Sequence, residues 1–322
     1  MFKIMNLTTS SYDMERYKDK ADVRTFYKSM GYDGVELMRV EPERNDFVDC
    51  SDVIGVHFRY FSAWLDFYKG DKDRVLSEFF DMRAACGTYG GDDPQSIVRA
   101  LSNELEFAKT MHVKYVVFHV SDIGLRESVE NRCKHKDKEV IDAAIEIINS
   151  ALRAGQYEFD FLMENLWWPG LSFLDASMTA RLLDGINYTK KGFMMDTGHL
   201  LHTNRSLKTQ EEGCTYILQR LREHGDMVKY IRGMHLHQTL SGLYVEEHLK
   251  HIPEKCSNYN DQLSQTYQHI FKVDAHQPFT SPSVRKIVDL IKPEYCTYEF
   301  ITTNRAQIAQ FTILQDRALG LA

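Results

Sequence analysis

The sequence lacks paired cysteines. Its six cysteines, Cys50, Cys86, Cys133, Cys214, Cys256 and Cys296, stand far apart without a Cys-x-x-Cys spacing, which argues against both a disulfide framework and a thiolate zinc motif. No apolar run approaches the ~18 residues of a membrane span. The start, Phe2-Lys3-Ile4-Met5-Asn6-Leu7, turns polar at Thr8-Thr9-Ser10, too soon for a signal-peptide core. These absences lead to the expectation of a cytoplasmic protein with no membrane partner. Excess positive charge is also missing: the formal net charge is −7, which offers no global attraction to nucleic acid, although a local basic patch is compatible with an acidic total. No low-complexity linker interrupts the 322 residues. A single domain over 1–322 is expected, since α/β barrels commonly reach ~250 residues or more as one unit.

What is present is alternation. Short apolar runs rich in β-branched, aromatic and Met residues alternate with longer amphipathic stretches, the pattern of repeated β-α units. Eight strand candidates can be counted, Phe2–Asn6, Gly34–Val40, Val53–His57, Lys114–Val120, Asp160–Glu164, Gly192–Asp196, Ile231–Leu236 and Tyr295–Phe300, and they predict an α/β fold, a parallel (β/α)8 TIM barrel. Helices are predicted near 14–30, 94–111, 136–154, 174–184, 209–224, 282–291 and 303–319. Asp93-Pro94 and Ser281-Pro282 place a capping side chain before a proline, a preferred helix start. The unit after Val40 shows no full helix, and two segments, 60–93 and 240–272, exceed normal loop length and are expected to fold over the barrel mouth.

Ligand-type side chains recur where the strand candidates end. His57 follows Val56, His119 follows Phe118, Glu164 precedes Asn165, Asp196 opens Asp196-Thr197-Gly198-His199, His235 closes Gly233-Met234-His235, Asp274 and His276 flank Ala275, and Glu299 follows Tyr298. In a parallel barrel the C-terminal strand ends meet at one face, where such enzymes place their active sites. One buried residue of this kind is more often a satisfied core group, by roughly two to one. Nine at successive strand ends differ, because their carboxylates would repel one another without cations between them. Mixed imidazole and carboxylate ligation suits zinc, manganese or iron better than magnesium or calcium.

In this order the residues resemble the AP-endonuclease and xylose isomerase-like barrel superfamily, most of all its endonuclease IV branch, from the third strand to the eighth. The resemblance implies up to three divalent ions, most simply zinc. One would take Glu164, Asp196, His235 and Glu299; a second Glu164, His57 and His119; a third His199, Asp274 and His276. It implies a metal-dependent phosphoric ester (phosphodiester) hydrolase with Glu164, Glu299 and Asp274 as the catalytic carboxylates, acting on abasic DNA; a small phosphorylated substrate fits the acidic charge as well. The quartet Glu164, Asp196, His235 and Glu299 is also that of sugar isomerases and epimerases in the superfamily. The alternative is therefore a sugar or sugar-phosphate isomerase or epimerase with a single ion. The sequence departs from the nuclease pattern at Leu166-Trp167-Trp168-Pro169-Gly170, after His119, after His276 and in the insertion 240–272.

Other residues admit two readings. Trp167-Trp168 could stack on a sugar or base, or simply cover the mouth. His237 and His202 could be outer-shell donors or acid-base groups, with polar loop histidines the commoner case. Arg59 and Tyr60 could bind an anion. His112, His135, His224, His248, His251 and His269 read as ordinary surface or helix residues. Around the mouth, Arg59, Arg126, Lys190-Lys191 and Arg205 are offset by Asp122, Glu127, Glu246 and Glu247, a mixture and not a basic track.

Overall fold

The computed structural model describes residues 1–40 and 47–321. Eight strands, β1 (Phe2–Thr8), β2 (Gly34–Met38), β3 (Val53–His57), β4 (Tyr115–His119), β5 (Asp160–Glu164), β6 (Lys191–Asp196), β7 (Ile231–His235) and β8 (Tyr295–Tyr298), pair in parallel in sequence order. The ring closes where Phe2 pairs with Tyr295 and Ile4 with Thr297. This is the TIM barrel the alternation predicts, with strand ends moved by a residue or two.

Side chains alternate across each strand. Tyr115 and Val117 of β4, Leu162 of β5, Met194 of β6 and Tyr295 of β8 fill the barrel interior together with Ile4 and Ile54. Their neighbours Val116, Phe161, Met163, Phe193 and Met195 point outward into the larger core beneath the helices. The same parity that buries Val117, Leu162 and Met194 aims His119, Glu164 and Asp196 inward at the last position of their strands. Register then sets His119 beside Glu164 and Asp196 beside His235.

Helix starts follow local chemistry. Thr209 accepts from the Glu212 amide while Glu212 accepts from the Thr209 amide, a capping box that opens Gln210–His224. Asn304 caps Arg305–Leu319 in the same position. Asp93 accepts from the Gln95 amide at the head of Gln95–Thr110, and Ser281 from Ser283 ahead of Pro282 to Ile291. Between β2 and β3 the described residues contain no α-helix and include the 3-10 turn Cys50–Asp52.

Both long segments are helical excursions outside the barrel wall. Residues 60–93 form three short helices, Trp64–Tyr68, Lys72–Phe79 and Met82–Tyr89. Residues 240–272 form Gly242–His248 and most of Tyr259–Val273. A bridge between Gln238 and Gln277 pins the base of the second excursion. Its far side is tied to the loop after β4: Arg126 donates to the Pro253 carbonyl at 2.8 Å, His248 to that of Val129 at 2.9 Å and Thr266 to that of Leu125 at 3.2 Å. It leaves the ring at β7 and docks three strands away, so it crosses the mouth. Among the described residues no helix is long and apolar enough to cross a membrane.

Gly55 shows how tightly the interior is filled. A Cβ there would lie 2.2 Å from Cζ of Tyr115, whose ring is wholly buried. Gly55→Ala is expected to cost about 1–3 kcal/mol through overpacking, read as a lower urea midpoint with unchanged slope; an unaltered midpoint would show that Tyr115 can move aside.

Candidate metal centre

The candidate ligands form one cluster around Glu164, which has no exposed surface; His199 comes from the helix Thr197–His202 and Asp274 and His276 from the segment after Tyr259–Val273, not from strand ends as the sequence suggested. Its Oε2 accepts from Nε2 of His57 at 3.0 Å and lies 3.2 Å from Nε2 of His119. Its Oε1 faces Nδ1 of His235 at 3.0 Å and Nδ1 of His199 at 3.5 Å. One carboxylate therefore sits between two sets of imidazoles.

Asp196 ends β6 and caps the short helix Thr197–His202, its Oδ1 accepting from the His199 amide at 2.6 Å. Asn165 clamps this turn from β5. Its side chain accepts from the Asp196 amide and donates to the Asp196 carbonyl, and its own carbonyl accepts from His199 Nδ1 at 2.9 Å. Asp274 ends the helix Tyr259–Val273, and its Oδ2 accepts from Nε2 of His199 at 3.0 Å and of His276 at 2.7 Å. His276 adopts a left-handed backbone, φ 45°, an uncommon conformation for a residue with a side chain, and it turns the ring back over the site.

Ligand atoms mutually within 4.8 Å fall into overlapping groups: His57, His119 and Glu164; Glu164, Asp196, His235 and Glu299; and His199, Asp274 and His276 joined by His237. All nine residues singled out in the sequence are present in these groups. Two more are drawn in that the sequence left aside or weighed lightly. His237 donates through Nε2 to Asp196 Oδ2 at 2.8 Å and stacks on His276 with ring centroids 3.8 Å apart. Its place depends on Gly198, where a Cβ would lie 2.1 Å from Cε1 of its ring. Glu36, in the middle of β2, faces His235. The available signals were a charge within an apolar strand, which burial makes costly unless paired, and a second histidine two residues after His235 on an extended segment.

Three of these imidazoles share a device. His57, His199 and His276 each donate from Nδ1 to a backbone carbonyl, of Phe58, Asn165 and Glu299 respectively, at 2.8 to 2.9 Å. That leaves Nε2 of each facing a carboxylate in the cluster. Outer acceptors of this kind orient metal-binding histidines and select their tautomer. Two carboxylate oxygens, Asp274 Oδ1 and Glu299 Oε2, are buried without a hydrogen-bond partner, a costly condition that a cation relieves. The donor set is nitrogen and carboxylate oxygen, so the residues fit zinc, manganese or iron.

The aromatic pair lies above this cluster. Trp167 packs 5.2 Å from the ring of His199 and 5.1 Å from that of His202, while Trp168 stacks on Tyr60, whose ring meets His119 edge-on. His202 is buried and bonds Ser241 at the base of the crossing excursion. Arg59 is exposed, lying 5.6 Å over Phe61. Lys190-Lys191 require a correction. Lys190 precedes β6 and Lys191 is its first residue; they donate to the Glu158 and Ile186 carbonyls, so they sit at the barrel end opposite the site. Arg126 is engaged by Glu130 and Pro253. The remaining histidines divide: His112 and His251 are exposed, whereas His135, His224 and His269 are buried, with Asp66, Thr179 and Tyr244 as partners.

Without added ions, imidazolium supplies the cluster's positive charge. Burial alone would lower His199, but Asp196 and Asp274 override it and push it up to about 10. His276 is likewise raised, to about 9, by Asp274 against the effect of burial. Burial would raise Asp196, yet His199 and His237 bring it down to about 2. His119 goes the other way, burial lowering it despite Glu164. A histidine held above its unfolded value stabilises the fold fully below about 6.5 and loses that contribution as pH rises through its folded value. Metal-stripped protein is therefore expected to lose thermal stability between pH 7 and 10, and saturating zinc to flatten the decline. Calorimetry showing stripped protein more stable at pH 9.5 than at pH 7 would contradict protonated His199 and His276.

The family model described as xylose isomerase-like TIM barrel matches residues 25–253. Among solved structures, a xylose isomerase-type protein of Rhodospirillum rubrum is 13% identical over 100% of this chain and 99% of that one, with a TM-score of 0.53. An L-ribulose 3-epimerase is 10% identical over 98% and 93%, with a TM-score of 0.52. Endonuclease IV of Thermus thermophilus is 14% identical over the whole of both chains, with a TM-score of 0.49. At such identities the likeness is one of fold alone, and the last, below 0.5, adds nothing to it. No curated protein matches the chain.

Proposed function

The chain belongs to the xylose isomerase-like TIM-barrel family, and within it we propose a divalent-metal-dependent hydrolase of phosphoric esters, built on a multinuclear centre and acting on a small substrate. One observation carries this reading: Glu164 stands between two groups of ligand atoms and a third group adjoins them, more than a one-ion isomerase uses. His57, His119 and Glu164 would hold one ion, Glu164, Asp196, His235 and Glu299 a second, and His199, Asp274 and His276 a third. When bound, such ions lower the pKa of a water and neutralise charge on a phosphoryl group.

The chain's own residues supply position and proton transfer. Glu164 keeps its two oxygens aimed at different imidazole sets, so it joins the groups and fixes their spacing. Glu299, whose Oε2 has no hydrogen-bond partner and lies 3.5 Å from Nδ1 of His235, is placed to orient an attacking water and take its proton. Asp274 holds His199 and His276 in place through one oxygen and leaves Oδ1 open to the site. Trp167 and the crossing excursion 240–272 cover the mouth and exclude bulk water.

The same cover supports a small phosphorylated compound over a duplex. A nuclease grips several phosphates through Lys, Arg and backbone donors, whereas here Arg126 is spent on the excursion and Lys190-Lys191 lie at the far end. The sugar isomerase or epimerase reading would use the single group of Glu164, Asp196, His235 and Glu299 and leave the other two groups without a task.

Protein loaded with zinc or manganese is expected to retain more than one ion per chain by plasma mass spectrometry and to hydrolyse bis(p-nitrophenyl) phosphate. At most one ion, with turnover of a ketose or ketose phosphate and no diester hydrolysis, would replace this reading by the isomerase. Glu164→Gln should lower metal content and activity more than His199→Gln, because a shared carboxylate neutralises two cations and a neutral imidazole none; equal losses would deny Glu164 its bridging place.

A further inference from the structure

Glu36 is a buried carboxylate, 2% exposed, that the proposed chemistry does not use. It lies inside the barrel below the ligand cluster, and its oxygens are filled by three donors. Tyr115 Oη donates to Oε2 at 2.6 Å and Thr297 Oγ1 at 3.0 Å. His235 Nε2 lies 2.9 Å from Oε1 and 3.1 Å from Oε2. Across the same ring, His235 Nδ1 faces Glu164 Oε1 at 3.0 Å, Glu299 Oε2 at 3.5 Å and Asp196 Oδ2 at 3.8 Å.

A neutral imidazole has one N–H and one lone pair, and the acceptor on one nitrogen decides where the lone pair stands. Glu36 offers only acceptor atoms, so with an ion among Glu164, Asp196 and Glu299 the ring's one proton belongs on Nε2 and the lone pair on Nδ1, toward that ion. His57, His199 and His276 have the same arrangement with neutral carbonyls as anchors. His235 alone among them is anchored by a carboxylate, which raises the basicity of the ligating nitrogen as well as orienting it. We infer that Glu36 is a positioning residue, fixing the tautomer and ring plane of His235 for an ion held with Glu164, Asp196 and Glu299.

This rests on the metal-centre reading above. Glu36 also lies within reach of His57, His235 and Glu299 as a ligand group. Its engagement by Tyr115, Thr297 and His235 assigns it to the anchor and not to the ion. The anchor is itself braced from around the ring, with Glu36 on β2, Tyr115 on β4, His235 on β7 and Thr297 on β8, and Gly55 of β3 leaving space for the Tyr115 ring.

The test uses the full chain and zinc alone, in two readouts independent of turnover. Zinc affinity is measured by competition with a chromophoric chelator. The His235 tautomer is read from long-range proton–nitrogen correlation spectra of histidine-labelled protein, assigned with His235→Gln. In Glu36→Gln the affinity of one ion is expected to fall about 10- to 100-fold, with the His235 Nε2–H signal shifted or lost. Tyr115→Phe, which loosens Glu36 without removing its charge, should weaken the same ion by a smaller factor and decides the matter should Glu36→Gln not fold. Wild-type affinity and an unchanged His235 signal in either folded variant would overturn the inference. So would complete loss of one ion from Glu36→Gln with the His235 signal unaltered, which would make Glu36 a ligand. Failure of the metal-centre reading itself is seen separately, as absence of tight zinc binding by the wild-type protein before any variant is made.

Discussion

Five carboxylates, those of Glu36, Glu164, Asp196, Asp274 and Glu299, are gathered at the upper end of the barrel interior with little or no exposure. Negative charges so placed are tolerable only when each is met by a cation or a dense set of donors. The imidazoles and the turn after β6 answer that demand. Imidazoles stand between the carboxylates, backbone carbonyls or Glu36 orient those of His57, His199, His235 and His276, and the Asn165 side chain holds the turn that carries Asp196 and His199. Protons and divalent ions are alternative solutions to the same electrostatic problem. The metal-free cluster is held together as a set of ion pairs between these carboxylates and imidazoles.

Much of this was legible in the sequence because a parallel barrel converts position along the chain into position in space. A polar residue at the end of an apolar strand can only reach the C-terminal face, and alternation decides whether it looks in or out. His119, Glu164 and Asp196 satisfy both conditions, and the strands that carry them begin and end close to where the apolar runs do. The excursions were legible as excess length, but not their internal helices or the path of 240–272 toward the loop after β4. That path depends on contacts such as His248 to Val129 and Arg126 to Pro253, between segments more than a hundred residues apart.

Two members of the cluster were harder to see. Glu36 is mid-strand, so its depth inside the barrel depends on Tyr115 and Thr297 arriving from other strands to solvate it. His237 follows a ligand by two residues and has the profile of a loop histidine; only the fold brings the stretch beside Gly198 and His276. Lys190-Lys191 were misplaced for the converse reason. They stand where a strand begins and so belong to the opposite end of the barrel.

Gly198 and His237 also constrain how this site can change. The ring of His237 is pinned by Asp196 and by the face of His276, so it cannot swing away from a side chain at 198. A larger residue at 198 is tolerated only after 237 has become smaller, whereas 237 can shrink beside Gly198 without a clash, at the loss of its bond to Asp196. The two positions form a one-way gate in sequence space: from this chain, variants with a side chain at 198 are reached through 237 first, and a library randomised at both sites would recover the pair as a correlated set and not as independent choices.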